Sequence, residues 1–311
     1  MSTSAPRVAA LGGGHGLATT LTALRSLTHE ITAIVTVADN GGSSGRLRNE
    51  FGSLPPGDLR MALAALCADD DWGRSWAELM QYRFTSEGDM AGHAVGNLLL
   101  AALWNMDGGK VAALDKVGEL LKVVGRVLPM ALDPLDIEGT FLRNGVREIV
   151  RGQVQVATAS GKMQSLRLIP ENPELCPESL AAIAQAQWIT LGPGSWLSSV
   201  MPHLLLPELG AAIAASPARK VMIFNMPEHS SQDEFAGFSL AEHLELVLRY
   251  LPNLDLAYGI VDPSALGSDS NLQVMIERLG GELIIADLAD AKNPQHHDPK
   301  KLASTFSHIF R

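Results

Sequence analysis

The sequence predicts an α/β protein of the Rossmann-like, doubly wound kind, with a mainly parallel sheet and an inserted β-rich layer. Three observations carry this. The short apolar run Val8-Ala9-Ala10-Leu11 ends abruptly in Gly12-Gly13-Gly14-His15-Gly16. Leu17, Leu21, Leu24 and Leu27 then recur at helical spacing, and Ile31 to Val37 is rich in β-branched residues. Strand, glycine turn, helix and strand make a βαβ unit. The same alternation returns late in the chain, at Trp188 to Leu191, Lys220 to Asn225, Leu256 to Val261 and Glu282 to Asp287.

The elements between follow in order. Ala38 to Leu54 reads as a long Gly/Ser-rich loop, and loops of that length are usually functional or disordered. Leu54-Pro55-Pro56-Gly57-Asp58 stops it, with Asp58 as the expected N-cap of a helix through Met61 to Leu66. A further helix is expected from about His93 to Leu103. From about Arg126 to Leu168 the pattern shortens and alternates, predicting antiparallel strands at Leu135 to Phe141, Val146 to Val150 and Gln153 to Ala157. No linker flanks this stretch. Residues 1–311 are therefore expected to form one Rossmann-like domain with a β-rich insertion at about 126–168. Asp298-Pro299, a cap followed by proline, should open the C-terminal helix.

Composition narrows the class. Of 311 residues 46% are apolar, enough for a sizeable core, and the formal charge is −10. No basic stripe is present to displace counterions, which argues against nucleic acid. The two cysteines, Cys67 and Cys176, have no metal spacing and read as reduced thiols. Met1 to Arg7 has no apolar signal core, and no apolar run approaches the ~18 residues a membrane span needs. A cytoplasmic protein without membrane insertion is expected.

Five constellations are candidates for chemistry. In Gly12 to Gly16, glycines bring backbone amides close to an anion, and the following helix adds partial positive charge. Gly13, Gly14, His15 and Gly16 are thus candidate ligand-binding residues; the plain alternative is a structural turn. Leu17 stands where the dinucleotide fingerprint needs a third glycine, and a P-loop's Gly-Lys-Ser/Thr ending is absent. In the second, Asp39 ends the second strand, where a carboxylate meets a ribose or holds Mg²⁺. Asn40, Gly41 and Gly42 follow, Ser43 and Ser44 offer hydroxyls, and Arg46 offers a bidentate phosphate donor. The third is Gly57, Asp58 and Arg60, where Arg60 faces either the same cleft or solvent. The fourth is His93 and Asn97, four apart on one helix face, either binding ligand or forming a buried pair. The fifth, Gly192-Pro193-Gly194-Ser195, repeats the first after another strand, and Asn225 ends the next strand. Parallel strands would bring all these loops to one carboxyl edge, where ligands of open α/β sheets bind. His296-His297 reads as a solvated pair and His243 as a packing residue. No nucleophile–base pair or zinc spacing is evident.

In this order Gly12 to Leu17, Val37 to Arg48, Leu54 to Arg60, Gly92-His93 with Gly96 to Leu99, and Leu191 to Ser195 resemble the YvcK family. These are bacterial gluconeogenesis factors within the CofD-like superfamily. The resemblance implies a Rossmann-like core, a cytoplasmic location and binding of UDP-sugars, including UDP-N-acetylglucosamine. It implies a need for the protein in cell shape and wall synthesis during growth on gluconeogenic carbon sources. It also implies kinship with transferases that move a phospholactyl group from a guanylyl diphosphate donor onto a deazaflavin, with Mg²⁺. Three departures matter. His15 stands where many members have Thr, and Asn40 where many have a second Asp. Met226 to Ser231 lacks the usual Thr-Gln-Pro-Gly-Glu-Thr run, so altered contacts or a reshaped lid are expected there.

Binding motifs are plentiful and chemical ones sparse, which favours a UDP-sugar-binding regulator over a catalyst. The alternative is a CofD-like phospholactyl transferase, with Mg²⁺ on Asp39 and Asp58. A nicotinamide oxidoreductase is suggested by fold class alone and opposed by the missing third glycine. A homo-oligomer is left open.

Overall fold

A computed structural model describes residues 5–107, 109–227, 239–267 and 269–310. Seven parallel strands form its main sheet: β1 (Val8–Gly12), β2 (Ile31–Val35), β3 (Arg126–Pro129), β7 (Trp188–Leu191), β8 (Arg219–Ile223), β9 (Tyr258–Val261) and β10 (Glu282–Ile285). The remaining strands, β4 (Asp136–Arg143), β5 (Val146–Arg151) and β6 (Lys162–Ile169), make a small antiparallel sheet in the order β5-β4-β6. The main sheet runs β10-β9-β8-β7-β1-β2-β3. Chain progress therefore reverses between β1 and β7, the switch point of a doubly wound sheet. β1 and β7 are buried along their whole length, which is why they read as unbroken apolar runs rather than as alternation.

Among the described residues, six helices lie between β1 and β3: α1 (Gly14–Leu24), α2 (Gly42–Phe51), α3 (Pro56–Ala65), α4 (Asp71–Gln81), α5 (Val95–Asp107) and α6 (Lys110–Leu121). Leu17, Leu21 and Leu24 bury one face of α1, as their spacing predicts. The C-terminal helix Pro299–Ile309 is capped by Asp298, whose carboxylate accepts from the amides of Lys300 (2.7 Å) and Lys301 (3.2 Å). No single described helix is long and apolar enough to cross a membrane.

Four expectations are corrected. The predicted loop at 38–54 contains α2, a helix whose buried residues are Ser43, Ser44, Gly45 and Leu47. With Leu47 as its sole large apolar contact, it shows no hydrophobic period in sequence. Asp58 does not cap α3: the helix starts at Pro56, where a missing N–H costs nothing, and Asp58 sits in its first turn. The insertion begins at Asp136 rather than Arg126, because Arg126–Pro129 pairs in parallel with β2 as the sheet's last strand. Gln153–Ala157 is a short helix, not a strand. Gly152, at φ +106°, turns the chain out of β5, and its carbonyl accepts from the Val156 amide instead of continuing a ladder. Lys162–Ile169 takes the third place beside β4.

Candidate functional site

The loops after β1 and β7 leave the carboxyl edge on either side of the switch point and pack directly on each other. A Cβ on Gly16 would collide with the Pro193 carbonyl. One on Gly13 would strike Asp58 Oδ2 and come within 2.5 Å of Thr36 Cγ2 and 3.2 Å of Ser199 Oγ. Glycine is required at both positions by close approach. Gly13 is the N-cap of α1 and Gly41 that of α2, so neither N-cap residue supplies a side-chain cap, while Asp58 from α3 accepts from the Gly14 amide at the start of α1. Their first amides and dipoles are presented at one edge.

The β7 loop is rigid. Asn225, just beyond β8, receives the Gly194 amide on Oδ1 (2.8 Å) and donates Nδ2 to the Gly194 carbonyl (2.9 Å). Ser195 Oγ accepts from the Ser198 amide (3.0 Å) and hydroxyl (2.7 Å), starting a π-helical turn, Trp196–Val200. Asn225 and Ser195 thus hold the loop together. Ser199, in that turn, presents its hydroxyl between Gly13 and Gly194. Beneath it His203 is fully buried, with Nδ1 3.1 Å from the Ser199 carbonyl and Nε2 3.0 Å from that of Ile34. Burial holds His203 at about 4, so the ring is neutral and donates one N–H, to the Ser199 or to the Ile34 carbonyl.

The wall of the crevice comes from α2, α3 and α5. Asp39 Oδ1 accepts from the Gly41 amide (2.8 Å), and its Oδ2 lies 3.2 Å from where a Cβ on Gly57 would be. Ser44 Oγ accepts from the Gly57 amide (3.0 Å), locking α2 to α3. Ser43 Oγ sits between Asn97 Nδ2 (2.9 Å) and His93 Nδ1 (3.0 Å). The Asn97 amide donates to the Ser43 hydroxyl, which has both a proton and a second lone pair to offer His93 Nδ1. Ser43, His93 and Asn97 thus bond one another and Ser44 bonds the Gly57 amide, although Asn97 Oδ1 remains buried without a partner. Gly42 begins α2 at this same corner. The Asn40 side-chain amide lies beside Gly152, its Nδ2 2.8 Å from where a Cβ there would be.

Charges sit unevenly on this wall. Asp58 is pushed up to about 7, by burial first and by the neighbouring Asp39 carboxylate second, while the Gly14 amide and Arg60 partly offset this. Arg60 is 2% exposed, with Nε and Nη1 unpaired. Burial and Arg83 lower it to about 10, still protonated at neutral pH. Arg46, the phosphate donor the sequence suggested, has two of its donors on carbonyls of its own chain. Its guanidinium donates to the carbonyls of Asp89 (2.8 Å) and Ala91 (2.5 Å), anchoring the strap between α4 and α5.

The CofD family model, described as 2-phospho-L-lactate transferase CofD, matches residues 8–305. The chain belongs to the CofD family. Within it, the chain is 44% identical over 309 residues to a Mycobacterium tuberculosis protein named "Putative gluconeogenesis factor", covering 97% of this chain and 90% of that one. It is 36% identical over 264 residues to the "Gluconeogenesis factor" of Bacillus subtilis, covering 85% and 79%. A crystal structure of a UPF0052-family protein from Bacillus halodurans superposes with a TM-score of 0.85 at 30% identity, covering 98% of this chain and all of that one. The YvcK resemblance and the Rossmann-like fold are thereby established.

For a CofD-family chain the question of a metal falls on Asp39 and Asp58. Among the described residues no group of three or more metal-binding side chains exists. Mg²⁺ is usually held by one or two carboxylates together with substrate phosphates, and the Asp39–Asp58 pair fits that mode. His15 lies exposed on the first turn of α1, its ring 6.1 Å from that of His296. Partial burial, then His296, Arg60 and Arg83, lower its pKa. His297 corrects the expectation of a solvated pair: it is buried, its Nε2 lies 3.1 Å from the Phe224 carbonyl, and burial takes it to about 4. His243 packs as expected, stacked on Trp196 at 5.1 Å. Met226 and Pro227 are described, but 228–231 of the divergent segment lie outside the described residues.

Sequence reasoning missed Ser199, Thr36 and His203. Ser199 follows Ser195 by one turn, a spacing that could have marked it. Thr36 and His203 meet the glycine loops only through the fold. A cavity of about 250 Å³ at the opposite, amino edge is lined by Arg7, Glu30 and Arg126, but Arg126 is already paired with Asp115 (2.7 Å). The chemistry-bearing residues gather at the carboxyl edge.

Proposed function

We propose that this chain binds a UDP-sugar, of the UDP-N-acetylglucosamine kind, in the switch-point crevice. It acts as a regulator of cell shape and wall synthesis under gluconeogenic growth rather than as a catalyst. The observation that carries the binding is the crevice floor. Two glycine loops meet there without room for a Cβ, at the glycine-started N-termini of α1 and α2, with the Ser199 hydroxyl between the loops. A diphosphate matches this: it is anionic, accepts from backbone amides, and needs close approach. The relatives' name, gluconeogenesis factor, supports the link to gluconeogenic growth. The negative overall charge favours a small ligand over nucleic acid, the reading keeps a cytoplasmic setting without membrane insertion, and it leaves room for a homo-oligomer.

One observation favours a second reading. Asp39 and Asp58 are two acids at the rim of an anion site, and Asp58 is held near 7. Asp39 and Asp58 would hold Mg²⁺, which would supply charge neutralisation for a CofD-type transfer. Calorimetric titration with UDP-N-acetylglucosamine, GDP and NAD, with and without Mg²⁺, separates the readings. UDP-sugar binding without turnover is expected. Selective GDP binding that requires Mg²⁺ would favour the transferase, and absence of nucleotide binding at micromolar concentrations would remove both.

A further inference from the structure

The small antiparallel sheet has two edges, and the chain treats them differently. At β6 the Leu166 amide donates to the Tyr250 hydroxyl (2.6 Å) of the helix Leu240–Tyr250. β5 pairs with β4 alone. A two-residue turn, Asn144-Gly145 at φ 52° and 79°, joins those two strands, a geometry that pins the register of a hairpin. Arg143 faces Val146, and the register runs unbroken to Glu138 opposite Arg151. The sheet's register shift, at Thr140/Phe141, lies on the β6 side.

Alternation then sorts β5 into two sets. The residues that close a two-residue hairpin exchange both backbone bonds, so Val146, Glu148 and Val150 turn their amides and carbonyls toward β4. The Gly152 amide continues that series by donating to the Ile137 carbonyl (2.8 Å). Arg147, Ile149 and Arg151 therefore turn theirs outward, where no backbone bond meets them among the described residues. Their side chains share the open face of the sheet with Thr140 and Leu142, and Ile149 is 65% exposed. Edges are commonly blunted by bulges, prolines, covering elements or charges. β5 uses only charges, and they flank an exposed isoleucine instead of replacing it. Both charges that β5 puts on this face are positive, although the chain as a whole carries −10. Arg151 places Nε and Nη2 on Asp136 (3.0 and 2.7 Å), whose other oxygen receives Arg48 of α2 (2.7 Å), which ties β5 to the wall of the crevice. Arg147 makes no ion pair among the described residues.

We propose that β5 is a docking edge for another protein, which adds an extended acidic segment as a fourth strand of the small sheet. Main-chain bonds to the three outward residues hold the segment, and the side chains select it. Antiparallel addition sets carboxylates opposite Arg147 and Arg151 and an apolar residue opposite Ile149, an acid-x-apolar-x-acid pattern. A second copy of this chain fits less well. The antiparallel register that sets Ile149 on Ile149 also sets Arg147 on Arg151, and like charges directly opposite are destabilising.

The probe is a fluorescein-labelled peptide, Thr-Glu-Thr-Val-Thr-Glu-Thr, with Thr-Lys-Thr-Val-Thr-Lys-Thr as its counterpart. Each is titrated into the whole chain and followed by fluorescence anisotropy and by amide hydrogen exchange. The acidic peptide should bind about tenfold tighter or more, the scale of two cross-strand charge pairs turned from repulsion to attraction, and its affinity should fall as salt rises. Bound peptide should slow exchange at Arg147, Ile149 and Arg151 and leave Glu148 and Val150, already bonded to β4, unchanged. Ile149→Pro removes an outward amide on an edge strand, where proline is tolerated, and should abolish binding. Arg147→Glu alters an exposed side chain and should bring the two peptides to nearly equal affinity, which keeps the test decisive if the proline variant fails to fold. Equal wild-type affinities overturn the proposal, as does the absence of binding by either peptide at about 1 mM or protection that ignores the alternation. Self-association in sedimentation that Ile149→Pro abolishes also overturns it, because a second copy would then occupy the edge.

Discussion

At the floor of the crevice backbone meets backbone, while at its wall side chain meets side chain. The floor is closed by Gly13, Gly16 and Gly194, by the Asn225 clamp and by the Ser195 cap, and its geometry leaves no slack. The wall holds a chain of small polar groups, Asn97 to Ser43 to His93 and Gly57 to Ser44. It also holds unbalanced charges on Asp58 and Arg60. A rigid floor of amides can receive an anion without distinguishing its source. A wall of partly satisfied charges is where discrimination between ligands has to reside, because those groups change energy with what lies beside them.

If this division is right, the largest effect belongs to the floor. Gly16→Ala adds one carbon against the Pro193 carbonyl. Alanine is the better helix former by roughly 1 kcal/mol, yet the collision is with backbone and cannot be relieved by a rotamer. A net loss of about 3 kcal/mol in unfolding free energy is expected, together with loss of nucleotide binding in calorimetry. A variant as stable as wild type would mean that the two loops are not in contact.

The next effect belongs to the wall. Asp58 is raised from 3.8 to about 7 in the folded chain. Between those values the unfolded chain has released the proton that the folded one retains, so stability falls as pH rises from about 4 through about 7. Asp58→Asn keeps an acceptor for the Gly14 amide but removes the charge. It should match wild type near pH 4 and exceed it by on the order of 2 kcal/mol at pH 8. Denaturant melts at both pH values check this, and parallel pH profiles for the two proteins would show that Asp58 carries no strained charge.

The same contrast explains what could be read from the sequence. Floor residues announce themselves because close backbone approach demands glycine, and the apolar runs of β1 and β7 stand directly before Gly12 and Gly192. The wall is different. α2 carries Leu47 as its only large buried apolar residue, so it looks like a loop. Ser43 is defined by partners 50 and 54 residues away, and Ser199, Thr36 and His203 enter only because β1, β2 and β7 are neighbours. Gln153–Ala157 alternates like a strand, but the ladder has already ended at Gly152. Local pattern carries an element's type where burial is one-sided and periodic. It carries little where polar groups are satisfied across long separations.

Arg46 gives the smallest effect and the sharpest contrast with the sequence. By residue type it is a phosphate ligand, and its removal would cost a charge-assisted bond of roughly 1.5–3 kcal/mol. In the fold its donors are taken by the Asp89 and Ala91 carbonyls on the strap that leads into α5. Both bonds are solvent-exposed, so Arg46→Ala should loosen that strap while lowering nucleotide affinity by less than about threefold, or roughly 0.6 kcal/mol. Faster amide exchange at Asp89 to Gly92 with near-normal binding is the expected pair of results. A loss of affinity above tenfold would mean that ligand draws Arg46 off the strap and onto its phosphates, and Arg46 would then belong to the binding surface after all.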